Sequence, residues 1–333
     1  MENRIRMSDI AEKMGVSVVT VSNALSGKKG VSRDLRDRII EEALSMGYPY
    51  ISHEPKNIRN TSNIGILVSE KFIQEHSIYQ KIYQSVLLSA SARSFSTSME
   101  TVPVNMDNSL YLPRLVQNHT VDGIILLGET DPQIVDKIRS LNIPYVFLDS
   151  YNLGDNSDAV LSENMNGSFQ LTSLLIQEGH QDIRFLGSIN DSSNTLDRYT
   201  GYLRALTNNN FHQADISPIP DRDNQGKFIP LQLPSKMPDA FVCSCDEIAY
   251  HLIILLIEKG YRIPQDVSVV GFNDSIFAAL CQPPLTTFRA DVDMMGKTAI
   301  NLLIDKIEEK PIYHGKIILK SEMILRSSTT KHV

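Results

Sequence analysis

The sequence predicts a molecule of two parts: a small all-α head, and an α/β body made of two doubly wound parallel-sheet subdomains. Three observations support this prediction. Residues 10–25 show a helical hydrophobic pattern that is interrupted by a glycine-containing turn. Residues 49–63 are polar and contain two prolines, which is typical of a linker. From Ile64 onward, continuous apolar runs typical of buried strands alternate with amphipathic helical segments.

Length and charge restrict the range of functions. At 333 residues the chain is long enough for more than one domain and for a sizeable core. Residues 1–62 hold ten Lys and Arg against eight Asp and Glu (+2), which leaves 22 against 31 (−9) for the rest. Attraction to nucleic acid should therefore be modest and confined to the head. The apolar runs are too short to span a membrane, so we expect a cytoplasmic protein without membrane partners.

The sequence offers little that is typical of an enzyme. It contains no Gly-rich phosphate loop, no HExxH and no GxSxG segment. The three cysteines, Cys243, Cys245 and Cys281, form no disulfide framework or metal-binding pattern, so we interpret them as ordinary buried thiols. We therefore expect no catalytic residues, no metal site and no cofactor.

The head begins with two short helices. Apolar residues recur at helical spacing as far as Met14, and Gly15-Val16-Ser17 then interrupts the pattern. Ser17 can cap a second helix, from Val18 to Leu25, and Ser32 can cap a third, from Arg33 to Met46. Two short helices joined by a tight turn form the helix-turn-helix motif, whose second helix lies in the major groove of DNA.

The outward face of the second helix suits DNA. If Val21 and Leu25 point inward, the outward residues are Val18, Val19, Ser22 and Asn23. Exposed valines fit thymine methyl groups, and Asn23 can pair with the edge of adenine. The alternatives are that the valines pack on a neighbouring domain and that the loop lysines are simply solvated. The candidate DNA contacts are Ser17, Val18, Val19, Thr20, Ser22, Asn23, Lys28 and Lys29.

The segment MSDIAEKMGVSVVTVSNALSGKKGVS resembles the start of the lactose-repressor/galactose-repressor (LacI/GalR) family of regulators. The resemblance continues over nearly the whole chain through DGIILL, FLDS, GHQDIRFLG, CDEIA, IPQDVSVVGFND and PPLTTFRADVDMMG. It implies two periplasmic-binding-protein-like subdomains with a ligand in the cleft between them. It also implies a repressor that binds a pseudo-palindromic operator in double-stranded DNA as a homodimer, and so associates with the nucleoid.

The resemblance divides the chain into a head at 1–48, a linker at 49–63 and an effector-binding and dimerisation domain at 64–333. We expect an N-subdomain of about 64–160 plus 291–315 and a C-subdomain of about 161–290 plus 316–333. A final strand is predicted at Lys316–Arg326. No terminal heptads follow it, so we expect no tetramer of the kind built on a C-terminal helical bundle.

The linker departs from the family pattern. Members carry a hinge helix with an Ala-Arg-x-Leu pattern, whose leucine inserts into the minor groove. Here the leucine position is Lys56, preceded by Pro55. Two interpretations remain: Ile58 inserts from a shifted helix that begins at Pro55, or the linker only tethers the heads.

The resemblance places four polar residues where family members contact small effectors: Asp149, Arg198, Asp246 and Asn273. Carboxylates and amides bind vicinal hydroxyls, and an arginine can bind two acceptors. Tyr79 is a further candidate, for stacking on a sugar face. It is one of four weaker aromatic candidates, for each of which core packing is the commoner role; the other three are Phe147, Tyr151 and Phe228.

Asp274 is interpreted as the cap of the helix that follows it. The effector implied by the resemblance is a sugar or a sugar derivative, although purines occur in similar clefts. Whether it acts as inducer or co-repressor stays open. A stand-alone sugar receptor is the rival interpretation, and the attached helix-turn-helix argues against it.

Overall fold

The computed structural model describes residues 5–25, 30–46, 48, 61–73, 78–103, 111–152, 154, 156–212, 215–223, 226–310 and 315–332. The chain divides into two compact units, Met1–Asn60 and Thr61–Val333. Four candidate DNA contacts lie outside the described residues: Lys28, Lys29, Lys56 and Ile58. No helix in the described ranges is both long and apolar enough to cross a membrane.

The described residues of the head form three helices, α1 (Met7–Met14), α2 (Val18–Leu25) and α3 (Arg33–Ser45). The predicted helix-turn-helix is therefore confirmed. The turn depends on Gly15, which ends α1 in the left-handed conformation (φ 63°) that a residue with a side chain rarely adopts. The three helices share one small core, formed by Ile10, Ala11, Val21, Ala24, Leu25, Ile39 and Ala43.

In the body, strands and helices alternate as predicted. The strands are β1 (Asn63–Ser69), β2 (Ser96–Val102), β3 (Gly123–Leu127), β4 (Tyr145–Leu148), β5 (Ala159–Ser162), β6 (Ile183–Leu186), β7 (Ala240–Cys243), β8 (Ser268–Val270), β9 (Thr287–Arg289), β10 (Lys316–Leu319) and β11 (Glu322–Ile324). The helices are α4 (Glu70–Ile73), α5 (Ile78–Ser91), α6 (Arg114–Gln117), α7 (Pro132–Ser140), α8 (Asn164–Gln177), α9 (Ser193–Asn208), α10 (Asp246–Glu258), α11 (Ile276–Leu280) and α12 (Val292–Ile307).

The larger lobe, here called the N-lobe, is built on a six-stranded parallel sheet in the order β10-β5-β4-β3-β1-β2. Helices cover both faces, so its central strand β3 is buried along its whole length. Ile125 and Leu127 lie in the core that contains α5 and α12, whereas Ile124 and Leu126 lie in the core that contains α7. This alternation explains why the strand is continuously apolar.

The second lobe, here called the C-lobe, contains the three-stranded parallel sheet β6-β7-β8 and the antiparallel pair β11-β9. Phe241 and Cys243 of β7 lie in the core that contains α10, and Ala240 and Val242 lie in the core that contains α8 and α9. The predicted α/β body with two parallel-sheet lobes is confirmed.

The end of the chain differs from the prediction. The segment Lys316–Arg326 is two strands and not one. β10 pairs with β5 in the N-lobe, and β11 pairs with β9 in the C-lobe. The chain passes between the lobes at Lys320 and Ser321, where Ser321 N–H donates to Glu163 Oε2 at 3.1 Å. The predicted boundary after residue 315 was wrong, because an apolar pattern does not reveal which sheet a strand joins.

Candidate ligand pocket and DNA-reading helix

Polar side chains converge on a small cavity, of about 50 Å³, between the two lobes. They come from the carboxyl ends of β4, β7 and β8, from α5 and from the first turns of α9. Ligands of open parallel sheets bind in this position. Its described lining brings together four of the five sequence-predicted effector residues: Tyr79, Asp149, Arg198 and Asn273.

Arg198 is the central cation of this pocket, and it is buried. Its Nε donates to Asn164 Oδ1 at 2.8 Å, Nη1 to the Ser244 carbonyl at 2.6 Å and Nη2 to Asn273 Oδ1 at 3.2 Å. The guanidinium also lies 4.0 Å from the ring centroid of Phe272. These three bonds use three of its five N–H donors and only neutral acceptors. Arg198 is thus held in place with donors left for further acceptors.

Asp149 follows β4 with a positive φ of 59°, a conformation that is uncommon for a residue with a side chain. Asn273, across the pocket, also has a positive φ, of 102°. Such backbone strain is concentrated at functional sites. Burial raises the pKa of Asp149 to about 6, while the positive charge of Arg198 and hydrogen bonds from Asn194 and Tyr79 oppose the rise. Near neutral pH its carboxyl group can therefore serve as acceptor or donor.

Asp246, the fifth predicted effector residue, does not line the described pocket. It is fully buried and accepts hydrogen bonds from Ser275 N–H at 2.6 Å and Thr287 Oγ at 2.5 Å. Burial raises the pKa of Asp246 to about 7, against the effect of these bonds. The carboxyl group thus joins the start of α10 to the segment before α11 and to β9.

The predicted role of Asp274, as the cap of the helix that follows it, was wrong. The residue before α11 is Ser275, and its side chain makes no capping hydrogen bond. Asp274 instead accepts from Arg289 Nε at 2.7 Å and Arg326 Nη2 at 2.6 Å. The Asp274 carboxyl group is therefore bound by two arginines that are distant in the sequence, and it does not cap α11.

Apart from Tyr79, the weaker aromatic candidates are absent from the described lining of the 50 Å³ cavity. Phe147 is buried in the N-lobe core. Tyr151 donates to Asp197 Oδ1 at 2.8 Å, and the Lys316 ammonium lies 3.2 Å from its ring centroid. Phe228 is partly exposed and lies under the Arg222 guanidinium, 4.1 Å from its centroid. We therefore find no stacking platform among them.

Several residues of the pocket were missed by sequence reasoning. They are Ser188, Asp191, Asn194, Asp221, Arg222 and Ser244. Three of them lie in SINDSSNT, a polar run that directly follows the buried strand β6. Applying the strand-end rule to β6, as was done for β4 and β7, would have identified this run.

The outward face of α2 is as the sequence predicts. Val18 and Val19 are 47% and 68% exposed, although both are large apolar side chains. Ser17 Oγ accepts from Thr20 N–H at 3.0 Å and so caps the helix. Ser22 and Asn23 are half-buried on the same helix. A short helix that exposes adjacent valines beside an amide is suited to the major groove.

Comparisons with known proteins agree with this geometry. Residues 6–49 match the family model of bacterial regulatory proteins, lacI family, and residues 172–329 match the periplasmic binding protein-like domain. The HTH-type transcriptional regulator RegA of Clostridium saccharobutylicum is 29% identical, with 97% of this chain and 98% of RegA covered. The solved complex of the transcriptional regulator CelR with cellobiose is 24% identical, covers 98% of this chain and 100% of its own, and has a TM-score of 0.70. The lac repressor dimer bound to operator and the anti-inducer ONPF is 21% identical, with coverage of 98% and 100% and a TM-score of 0.66.

Proposed function

The chain belongs to the LacI family of DNA-binding transcriptional regulators, and on this premise we propose that it is a repressor controlled by a sugar. In this proposal a homodimer binds a pseudo-palindromic operator through residues 1–48, acting in the cytoplasm at the nucleoid. Residues 49–63 link the heads to an effector-binding and dimerisation domain at 64–333. A sugar or sugar derivative in the inter-lobe pocket biases the relative arrangement of the lobes, and the linker transmits the change to the heads.

The convergence of Arg198, Asp149, Asn194 and Asn273 on one buried pocket is the observation that carries the effector half of the proposal. A guanidinium, a carboxyl group and amides supply the donors and acceptors that vicinal hydroxyls require. Tyr79 is the aromatic residue of the described lining, and an aromatic ring can stack on a sugar face. The cellobiose in the CelR structure also favours a sugar.

The exposed apolar residues of the C-lobe support the dimer. Ile254 and Ile257 of α10 are 38% and 51% exposed, and Ile276 and Leu280 of α11 are 57% and 53% exposed. Clustered apolar side chains at a surface are typical of subunit contacts. A dimer also gives two heads, which one pseudo-palindrome requires.

The DNA half is tested by selecting binding sites for the full chain from random duplexes. We expect a pseudo-palindrome. Replacing Asn23 by Ala should cost about 1–3 kcal/mol of binding free energy on that site and relax the preference at one position per half-site. An equal loss on every sequence would mean that Asn23 contacts phosphate only.

The effector half is tested by thermal shifts of the full chain with monosaccharides, disaccharides and nucleobases. We expect a sugar to stabilise the wild type and to lose its effect in Arg198→Lys, since an ammonium cannot reproduce the planar fork of donors. Stabilisation by nucleobases alone would exclude the sugar.

A further inference from the structure

Three N-lobe side chains reach across the cleft to one short segment of the C-lobe. Lys71 Nζ, from α4, donates to the Asp191 carbonyl at 2.7 Å and lies 3.3 Å from Asp191 Oδ1. Glu129 Oε1, after β3, accepts from Ser193 N–H at 2.6 Å and from Ser193 Oγ at 2.7 Å. The third contact is the Tyr151 to Asp197 hydrogen bond described above. We call these contacts the latch.

The ion pair of the latch is nearly removed from solvent. The side chains of Lys71 and Asp191 are only 12% and 11% exposed. Asp191 Oδ2 also faces Arg222 Nε at 3.7 Å, so one carboxylate is shared by cations from both lobes. With so little solvent between them, the two charges attract each other more strongly than an exposed pair does. Lys71 and Asp191 therefore oppose separation of the lobes here.

The latch lies between two cavities. On one side is the 50 Å³ pocket that contains Arg198, and on the other is a cavity of about 520 Å³. Asp191 and Ser192 line both of them, and Lys71, Glu129 and Tyr151 line the larger one. Pockets for small molecules measure about 300–1,000 Å³, so the inner pocket is too small for a sugar while the latch is closed.

We propose that the latch gates the effector pocket. It holds the lobes together over the inner pocket, and a ligand enters from the outer cavity when Lys71 releases Asp191. The identity of the gated site as an effector pocket rests on the proposed function, whereas the opening itself is a property of the protein alone. Because only the open fraction can bind, the strength of the latch sets the apparent affinity for the effector.

The Ser193 amide reports on the latch without any ligand. Ser193 is the first residue of α9, so its N–H has no acceptor within the helix and depends on Glu129. In hydrogen exchange on the full chain, we expect Lys71→Met to accelerate exchange of this amide at least tenfold. Lys71→Arg should stay near the wild-type rate. Lys297→Met is the matched control, because Lys297 is an exposed lysine on α12 of the same lobe.

Cys245 reports on access to the inner pocket. It lines that pocket and is half-buried, whereas Cys243 and Cys281 are 2% and 1% exposed, and none of the three is in a disulfide. We expect Lys71→Met to raise the rate of Cys245 alkylation by iodoacetamide severalfold, with no change at Cys243 or Cys281. The two buried thiols thus separate gate opening from unfolding.

The gate is wrong if the wild-type Ser193 amide exchanges as fast as an unstructured peptide, or if Lys71→Met leaves both reporters unchanged. If Lys71→Met also raises alkylation of Cys243 and Cys281, that variant has partly unfolded, and Asp191→Asn is measured in its place. Acceleration at Ser193 and Cys245 alone supports the gate, and no acceleration there overturns it. Neither assay uses sugar or DNA, so a negative result in them would not contradict the proposed function. Conversely, failure to bind sugars would not contradict the latch.

Discussion

Asp149 and Asp246 occupy corresponding places in the two lobes, yet the structure uses them differently. Each lies just beyond the carboxyl end of a buried parallel strand, and burial raises the pKa of each, to about 6 and about 7. Asp149 lines the pocket, whereas Asp246 is held by Ser275 and Thr287. Position at a strand end thus identifies candidates, and the hydrogen-bond partners decide which of them can bind a ligand.

The largest expected effect is on stability. Asp246→Ala removes the acceptor of two buried donors, so it should lower the free energy of unfolding by roughly 2–5 kcal/mol. Asp149→Ala should cost about 1–2 kcal/mol, because its backbone carbonyl still accepts from Asn194 at 2.8 Å. Urea denaturation of both variants measures the difference. Equal losses would remove the distinction between the two carboxyl groups.

The second effect is the pH dependence of stability. Both carboxyl groups have raised pKa values, so between about pH 4 and pH 7 the folded protein binds more protons than the unfolded chain. Their contribution is fully present below the unfolded pKa and is lost as the pH rises through about 6 and about 7. Each group contributes a slope of at most about 1.4 kcal/mol per pH unit.

Asn substitutions show which carboxyl group causes this pH dependence of stability, because an amide has no proton to lose in this range. Unfolding at pH 5, 6, 7 and 8 should show a smaller fall in stability for Asp246→Asn than for wild type. In Asp149→Asn the loss that disappears should end about one pH unit lower, near pH 6 and not near pH 7. If both variants keep the wild-type slope, neither carboxyl group is titrating in this range.

The smallest expected effect is on ligand affinity, and it distinguishes the role of Asp149 from that of Asp246 most directly. With the sugar found by thermal shift, Asp149→Asn should weaken binding about 10- to 100-fold, or roughly 1.4–2.8 kcal/mol. Asp246→Asn should stay within about twofold, since Asp246 is absent from the pocket lining and its carboxyl group is held by Ser275 and Thr287. Isothermal titration at pH 7 measures both. A comparable loss in Asp246→Asn would restore it as an effector contact.

The type and the position of most helices and strands could be predicted from local sequence patterns. Helix α2 was predicted with the bounds that the structure has, Val18–Leu25. Hydrophobic periodicity and capping residues act over only a few positions, so they can be read from a short stretch. The family resemblance also named Asp149, Arg198 and Asn273, which the fold brings into one pocket.

Strand pairings and side-chain contacts between residues far apart in the chain could not be predicted from these local patterns. Lys316–Arg326 divides between two sheets because β5 and β9, far apart in the chain, pair with its two halves. Asp246 is held by Ser275 and Thr287, which reach its carboxyl group from later segments of the chain. The latch joins Lys71 to Asp191, 120 positions away. A buried charge or strand edge needs a hydrogen-bond or ion-pair partner, and folding supplies that partner from a distant part of the chain. A local sequence pattern does not show which distant residues will be near.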